Sequence, residues 1–393
     1  MTAATTNPRV IGIFAGESRA TAAPHQLMPA IWLASRGVPI RCLIGGDGPK
    51  GVANTPLGSL ELEPVGRLGA MGQLRICLRV LRRRIAGKGG EVFYVHGSPV
   101  CPGAWLGLAG VRRSRVIYHT QDFLEPGRHS QWEFFERRVA RRASRVICNE
   151  PNRARFMASH YGLGEMPAVV PTALPRAWPV PDRDAEVRRA ILRHIKCEER
   201  PSATLLFHAG PFSPVRCTVE LFRAVATLPP NVALVMTGNT PGSEEYERGR
   251  AAAADAGIAD RVVFLPRLGF DDLLRHGAAC DVGILLYPND GLGNFFQAPG
   301  RLSEYLRCGL PVVASAFPGL ELLVAAYDIG ATCEPSSPSS ISSAVAQLAA
   351  RPEERWEAER RRLIALALGD LAFDAGAHVL EDIVVSALSD GFR

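Results

Sequence analysis

Residues 294–315 of this chain read NFFQAPGRLSEYLRCGLPVVAS, a stretch that gathers groups able to bind an anion and a diol. Pro299 suits the first turn of a helix, where its missing N–H would be unpaired in any case. Gly309 followed by Pro311 marks the helix end, because glycine accepts a left-handed cap and proline cannot continue the ladder. VVAS then reads as a short buried strand. A loop feeding a helix N-terminus offers free N–H groups to an anion. A carboxylate farther along the same helix, here Glu304, can hold a neutral diol. Anion plus diol is the outline of a nucleotide diphosphate sugar. Arg301 lies on the first turn, where a cation opposes the helix dipole. It therefore serves either a ligand or a partner carboxylate. Glu304 is read as buried rather than exposed, because the LPVVAS that follows is apolar.

Other candidates lie at the carboxyl ends of apolar runs. ATLLFHAG (203–210) reads as a strand ending at Gly210, and the loop PFSPVRC leads into a helix. Arg216 in that loop sets a fixed cation beside a dipole that already favours anions. His119 ends the run RVIYH and is either a structural histidine or a site residue, with Asp122 three positions on to orient it. The N-terminal loop AGESRATAAPH (15–25) offers Gly16 and Glu17 among small residues. It lacks G-x-G-x-x-G, so a nicotinamide or flavin cofactor has no support. No P-loop, H-E-x-x-H or nucleophile elbow occurs. Asp182-Arg183-Asp184 has the look of an acidic metal triplet, but it sits in a proline-rich stretch and reads as solvated.

The elements that must position these residues alternate. Strands are expected at 10–16, 39–46, 91–97, 115–121 and 144–150, with helices at 25–35, 69–86 and 131–143 between them. PTALPRAWPVPD (171–182) breaks the pattern and reads as a linker. Alternation restarts with strands at 203–210, 231–238, 261–266, 281–288 and PVVASA, and with helices at 219–228, 244–257, 271–280 and 339–350. Two last helices, 352–367 and 372–388, fit either domain. Such alternation implies parallel, doubly wound sheets, whose ligands sit outside the carboxyl ends of the strands. The expected domains are 1–178 and 179–368, with 369–393 a helix that crosses back to the first, and a cleft between the two.

Composition bounds the rest. The 393 residues exceed one core and suit two or three domains. No apolar run reaches the roughly 18 residues needed to span a bilayer, and MTAATTNPRV does not read as a signal peptide. A cytoplasmic protein is the expectation. Nine cysteines without C-x-x-C spacing fit reduced, buried thiols rather than a zinc site. The net charge of +6 is uneven: residues 1–178 hold 24 Lys and Arg against 11 Asp and Glu, and the remainder holds 21 against 28. The excess in RICLRVLRRRIAGK (75–88), VRRSR (111–115) and ERRVARRASR (136–145) is either solvated helix faces or a basic surface for anionic lipid or a phosphorylated acceptor. No nucleic-acid motif accompanies it, so a nucleic-acid partner is not expected.

Taken together, these residues resemble glycosyltransferase family 4, retaining enzymes with the GT-B fold of two Rossmann-like domains facing a cleft. The likeness is strongest over 203–345: HAGPFSPVRCTVELFRAVATLP is similar to the family's phosphate loop, and APGRLSEYLRCGLPVVAS to its donor-binding helix. RVIYHTQD and ASRVICNEPNRARF resemble its acceptor domain more weakly. The resemblance implies transfer of a sugar from a nucleotide diphosphate sugar, with no cofactor and no metal required. It implies that Glu304 is the second carboxylate of the E-x7-E motif and holds the ribose. It implies that Arg216 and Arg301 meet the diphosphate and that His119 lies near the reacting sugar. Gly210 and Pro299 fall in the donor loops, and Gly16, Glu17 and Asp122 on the acceptor side. The acceptor is a glycan, a lipid-linked glycan or a small molecule, with peripheral contact at an anionic membrane as a further expectation. Two departures stand out. Phe296 occupies the first carboxylate position, leaving Asn294 or Gln297 to contact the sugar, and Pro211 replaces a second basic residue of the phosphate loop. A chain that binds a nucleotide sugar or a partner without turnover is the alternative reading.

Overall fold

The computed structural model describes residues 10–15, 24–46, 51–86, 90–122, 124–127, 130–195, 203–350 and 353–389. The chain divides into two compact units, Met1–Trp178 with Phe373–Arg393, and Pro179–Ala372.

The first unit is built on eight strands: β1 (Val10–Phe14), β2 (Ile40–Ile44), β3 (Gly51–Thr55), β4 (Gly58–Pro64), β5 (Val92–His96), β6 (Val116–His119), β7 (Arg145–Cys148) and β8 (Ala168–Val169). Their order is β3-β4-β2-β1-β5-β6-β7-β8, parallel except for the β3–β4 pair. Central strands such as β1 and β5 are buried along their whole length, as expected when helices cover both faces. The β3–β4 hairpin was not among the expected elements. Its β4 alternates buried Leu60 and Leu62 with Glu61 and Glu63, a period-two pattern too short and polar to stand out as an apolar run.

The helix Ala70–Ala86 turns Gly72, Ile76 and Val80 inward. Arg79 and Arg83 both reach Glu63, at 2.6 and 3.4 Å. Met71, Leu74, Leu78 and Ile85 are exposed. Helical spacing puts those four on one stripe opposite Ile76 and Val80, with Arg75 and Arg82 at its border. The last helix, Asp374–Ser389, belongs to this unit. Phe373 N–H bonds Leu174 O at 3.1 Å, Arg176 N–H bonds the Asp374 carboxylate at 2.7 Å, and Glu381 accepts the Trp32 indole N–H.

The second unit carries β9 (Thr204–His208), β10 (Val232–Met236), β11 (Val262–Phe264), β12 (Val282–Leu285), β13 (Val312–Ser315) and β14 (Gly330–Cys333) in the parallel order β11-β10-β9-β12-β13-β14. Its core packs Leu206, Leu234, Ile284 and Val313 from the sheet against Phe222, Val225, Ile341 and Val345 from helices. The strand order reverses direction at β9 and β12, the point at which ligands bind in such sheets. Helices Ala185–His194 and Pro318–Tyr327 and strand β14 were not foreseen. Asp184 caps the first of these, accepting N–H bonds from Glu186 and Val187 at 2.9 and 3.1 Å. The acidic triplet is thus partly a helix cap.

Candidate functional site

The helix Gly300–Arg307 begins one residue later than expected, with Pro299 as its N-cap in an extended conformation. A proline side chain accepts no hydrogen bond, so the first-turn N–H groups gain no side-chain cap. At the other end Gly309 has φ 71°, and the Gly309 and Leu310 N–H groups bond Leu306 O and Tyr305 O at 2.9 Å each. This is the Schellman arrangement that a left-handed glycine permits.

Tyr305 fixes the helix on the sheet. Its hydroxyl accepts the Ala209 N–H at 2.9 Å and donates to Ile284 O at 3.2 Å. Its ring lies flat over Gly283, where a Cβ would sit 2.5 Å from the ring. Arg307 is fully buried and donates to Ala367 O at 3.2 Å. Tyr305 and Arg307 thus anchor the C-terminal half of the helix that carries Arg301 and Glu304. Glu304 is 6% exposed, buried as the sequence suggested.

Arg301, Arg216 and His208 line one small pocket at the carboxyl ends of β9 and β12, with Tyr287 and Tyr305 as further walls. Arg216 comes from the tight turn Pro214–Arg216, which is followed by Cys217 in a left-handed conformation, φ 56°. Two bonds pin this turn: Phe212 N–H to Asn239 Oδ1 at 2.9 Å and Ser213 N–H to Thr218 Oγ1 at 3.0 Å. Gly210 lies beside the pocket. A Cβ there would lie 3.2 Å from His208 Nε2 and 4.0 Å from Arg301 Nη1. Neither guanidinium forms an ion pair with a described residue. Burial works against the charge on Arg301, but Tyr305, Glu304 and Tyr287 more than offset it and hold its pKa above the ordinary value.

His208 was not singled out from sequence. It is 7% exposed, and neither ring nitrogen completes a hydrogen bond. Burial, then Arg301 and Arg216, push its pKa down to about 3, with the Ile284 backbone working the other way. The signal available in sequence was a polar residue closing an apolar strand just before a glycine loop.

The segment before the helix is less open. Asn294 donates to Asp290 at 2.7 Å and accepts from Gln297 at 3.3 Å, so these two amides are engaged with each other. Phe296 is half-buried beside Phe295, their rings 5.1 Å apart. A Cβ on Gly319 would lie within 2.6 Å of the Phe296–Gln297 backbone. That close approach brings the helix Pro318–Tyr327 against this segment.

In the first unit, His119 is fully buried at the end of β6. Its Nδ1 is bonded to the Tyr94 hydroxyl and its ring stands 4.9 Å from that of His96. Asp122, expected to orient His119, is exposed, and its backbone carbonyl accepts the Thr120 hydroxyl instead. Tyr94 does the orienting from the neighbouring strand β5, where it stands two residues before His96, the register partner of His119, and so on the same face of the sheet. Burial, then His96, lowers the His119 pKa well below its ordinary value. Nε2 of His96 and of His119 has no hydrogen-bond partner. Gly16 and Glu17 lie outside the described residues. Among the described residues no cluster of three metal-ligating side chains occurs, and no helix is long and apolar enough to cross a membrane.

Two guanidiniums and an imidazole around a bare glycine form an anion pocket. Residues 196–364 match the family model of glycosyl transferases group 1. A D-inositol 3-phosphate glycosyltransferase of Acidothermus cellulolyticus is 30% identical over 58% of this chain and 50% of its own length. One from Geodermatophilus obscurus is 26% identical over 82% of this chain and 76% of its own length. The chain thus spans half the length of the first of these relatives. Among solved structures, HepE of Anabaena, crystallised with UDP and glucose, superposes with TM-score 0.69 at 19% identity, covering 97% of this chain and 99% of that one. Sucrose-phosphate synthase of Thermosynechococcus elongatus gives 0.71 at 15% identity, covering 97% and 100%. The family match falls on the unit that holds the pocket of Arg216, Arg301 and His208, and the chain shares the GT-B fold of these solved structures.

Proposed function

We propose that this protein is a retaining glycosyltransferase that moves a sugar from a nucleotide diphosphate sugar to an acceptor in glycan, polysaccharide or glycolipid synthesis. The observation that carries this reading is the pocket at the ends of β9 and β12, where Arg216, Arg301 and His208 converge without an ion-pair partner. The uncapped first turn of Gly300–Arg307 adds backbone donors. A diphosphate fits that charge. Glu304, fixed one turn along the same helix, suits a ribose diol.

In the reaction, the bond between the anomeric carbon and the phosphate oxygen breaks and the diphosphate leaves with the electron pair, while an acceptor hydroxyl oxygen bonds that carbon on the same face and its proton passes to the departing phosphate. Arg216, Arg301 and the first-turn amides are positioned before the reaction begins and meet the charge as it develops. The presence of UDP and glucose in HepE supports a nucleotide sugar as donor. For the acceptor, relatives are named for D-inositol 3-phosphate and for a phosphatidylinositol mannoside. An anionic, membrane-held acceptor accords with those names and with the arginine-bordered stripe of Met71, Leu74, Leu78 and Ile85. We assign His119 to the neighbourhood of the reacting sugar, and Gly16, Glu17 and Asp122 to the acceptor side.

A thermal-shift screen with UDP, GDP, ADP and their sugars tests the donor. Ligand at 100 times its dissociation constant adds about 2.7 kcal/mol, and no stabilisation by any of them would remove the reading. The alternative, a chain that binds a nucleotide sugar without turnover, is kept open by Phe296. Tight binding with no donor consumption in the presence of phosphatidylinositol vesicles, glucose or inositol phosphate would favour it.

A further inference from the structure

His208 closes β9, the strand between β10 and β12 at the centre of its sheet. An aliphatic side chain would be the inexpensive choice there. A buried imidazole whose nitrogens complete no hydrogen bond is costly, because its polar atoms have lost water and the Ile284 backbone compensates only in part. Its surroundings raise the cost further. Arg216 faces it from the turn before the helix Thr218–Thr227, and Arg301 from the helix Gly300–Arg307. Tyr305 stands on that same helix, Tyr287 follows β12, and Glu304 lies beyond Arg301. The flanking β10 residues Met236 and Thr237 bring no charge. The pocket therefore presents the imidazole with two cations in the absence of a ligand.

The geometry says what would relieve it. His208 Nε2 and Arg301 Nη1 both face the bare α-carbon of Gly210, at 3.2 and 4.0 Å from where a methyl would stand. An oxyanion entering that space reaches a guanidinium and an imidazole together. We propose that His208 is a ligand of the donor diphosphate, giving a hydrogen bond from Nε2 to a phosphate oxygen and taking up a proton as the diphosphate arrives between Arg216 and Arg301. It supplies the donor that Pro211, three residues on, cannot. This rests on the donor reading above.

The low pKa of the empty pocket, about 3, supports the proton linkage. Negative charge from the diphosphate screens both arginines and raises that value, so binding draws a proton from solution. Affinity is flat above the His208 pKa of the complex and grows as pH falls below it, by up to about tenfold per pH unit, until pH reaches the ligand-free value of about 3.

Calorimetry with UDP-glucose and GDP-mannose at pH 6 and 8, in buffers of different ionisation enthalpy, measures the uptake. These diesters do not titrate in that range. Wild type should take up a fraction of a proton at pH 6. His208→Leu should melt no lower than wild type without ligand, since a buried unpaired polar group is gone, yet bind roughly tenfold to a hundredfold more weakly. His208→Gln should keep most of the affinity and lose the proton uptake. Wild-type affinity in His208→Leu would overturn the proposal, and so would equal proton uptake in His208→Gln. Inorganic pyrophosphate separates this idea from the donor reading. Binding of pyrophosphate that depends on His208, with no binding of either nucleotide sugar, would sink the donor reading and leave the anion ligand standing.

Discussion

Single residues divide the donor between charge and shape. Arg216 is exposed, pinned only by its turn, and pairs with no described carboxylate. In the proposed reaction its guanidinium meets the leaving diphosphate. Arg216→Ala should lower kcat/KM by about 10²–10³, the usual cost of one preorganised donor. Steady-state rates within threefold of wild type would exclude that role. Glu304 is buried and fixed. Glu304→Ala should weaken nucleotide binding roughly tenfold to a few hundredfold, since a bond to an ionised group is worth about 1.5–3 kcal/mol. Calorimetry giving unchanged affinity would mean that the ribose lies elsewhere.

At the scale of elements, the helix Gly300–Arg307 is held in place by Tyr305 more than by its own propensity. Tyr305→Phe removes an acceptor and leaves the Ala209 N–H buried and unpaired. A loss of about 1–3 kcal/mol is expected in urea unfolding, together with weaker donor binding as Arg301 and Glu304 lose their support. Stability within error of wild type would contradict the anchoring. The helix Ala70–Ala86 makes the opposite case, with apolar residues facing outward. Leu78→Glu should change melting little, because Leu78 is exposed. It should also reduce sedimentation with vesicles containing phosphatidylinositol while sparing donor binding. Equal sedimentation of the two proteins would remove the membrane assignment.

For the whole molecule, buried titratable groups set the response to pH. The pKa values of His96 and His208 fall to about 3, chiefly through burial, and that of His119 falls for the same reason. Between about 6.5 and 3 the unfolded chain binds their protons and the folded chain does not, so stability is lost as pH falls from 6.5, by up to roughly 1.4 kcal/mol per pH unit for each group. Glu136, buried and bonded by the Tyr118 and Tyr161 hydroxyls, has its pKa raised by burial to about 7. There the folded chain holds the proton, so this group stabilises at low pH and loses its effect as pH rises toward 7. Glu136→Gln, which stays neutral, should therefore steepen the wild-type decline between pH 7 and 4.5. Denaturant melts across that range would show it, and parallel curves would refute it.

How much of this was legible follows from the range of the forces involved. Apolar alternation announced both sheets, because burying a central parallel strand needs a run of apolar residues whatever surrounds it. Gly309 and Pro311 marked the helix end for an equally local reason, and Pro299 its start to within one residue. The anion-binding outline of residues 299–304, with Arg216, was readable because cations, glycine and a helix start are local features. Tertiary structure decided what depends on neighbours distant in sequence. It made Tyr94 rather than Asp122 the partner of His119, through the register of two strands. It turned Asn294 and Gln297 toward each other. It also brought His208 beside Arg301, 93 positions away by residue number, and left its nitrogens without partners. Desolvation and unpaired polar atoms are properties of an environment, and an environment exists only once the chain has packed.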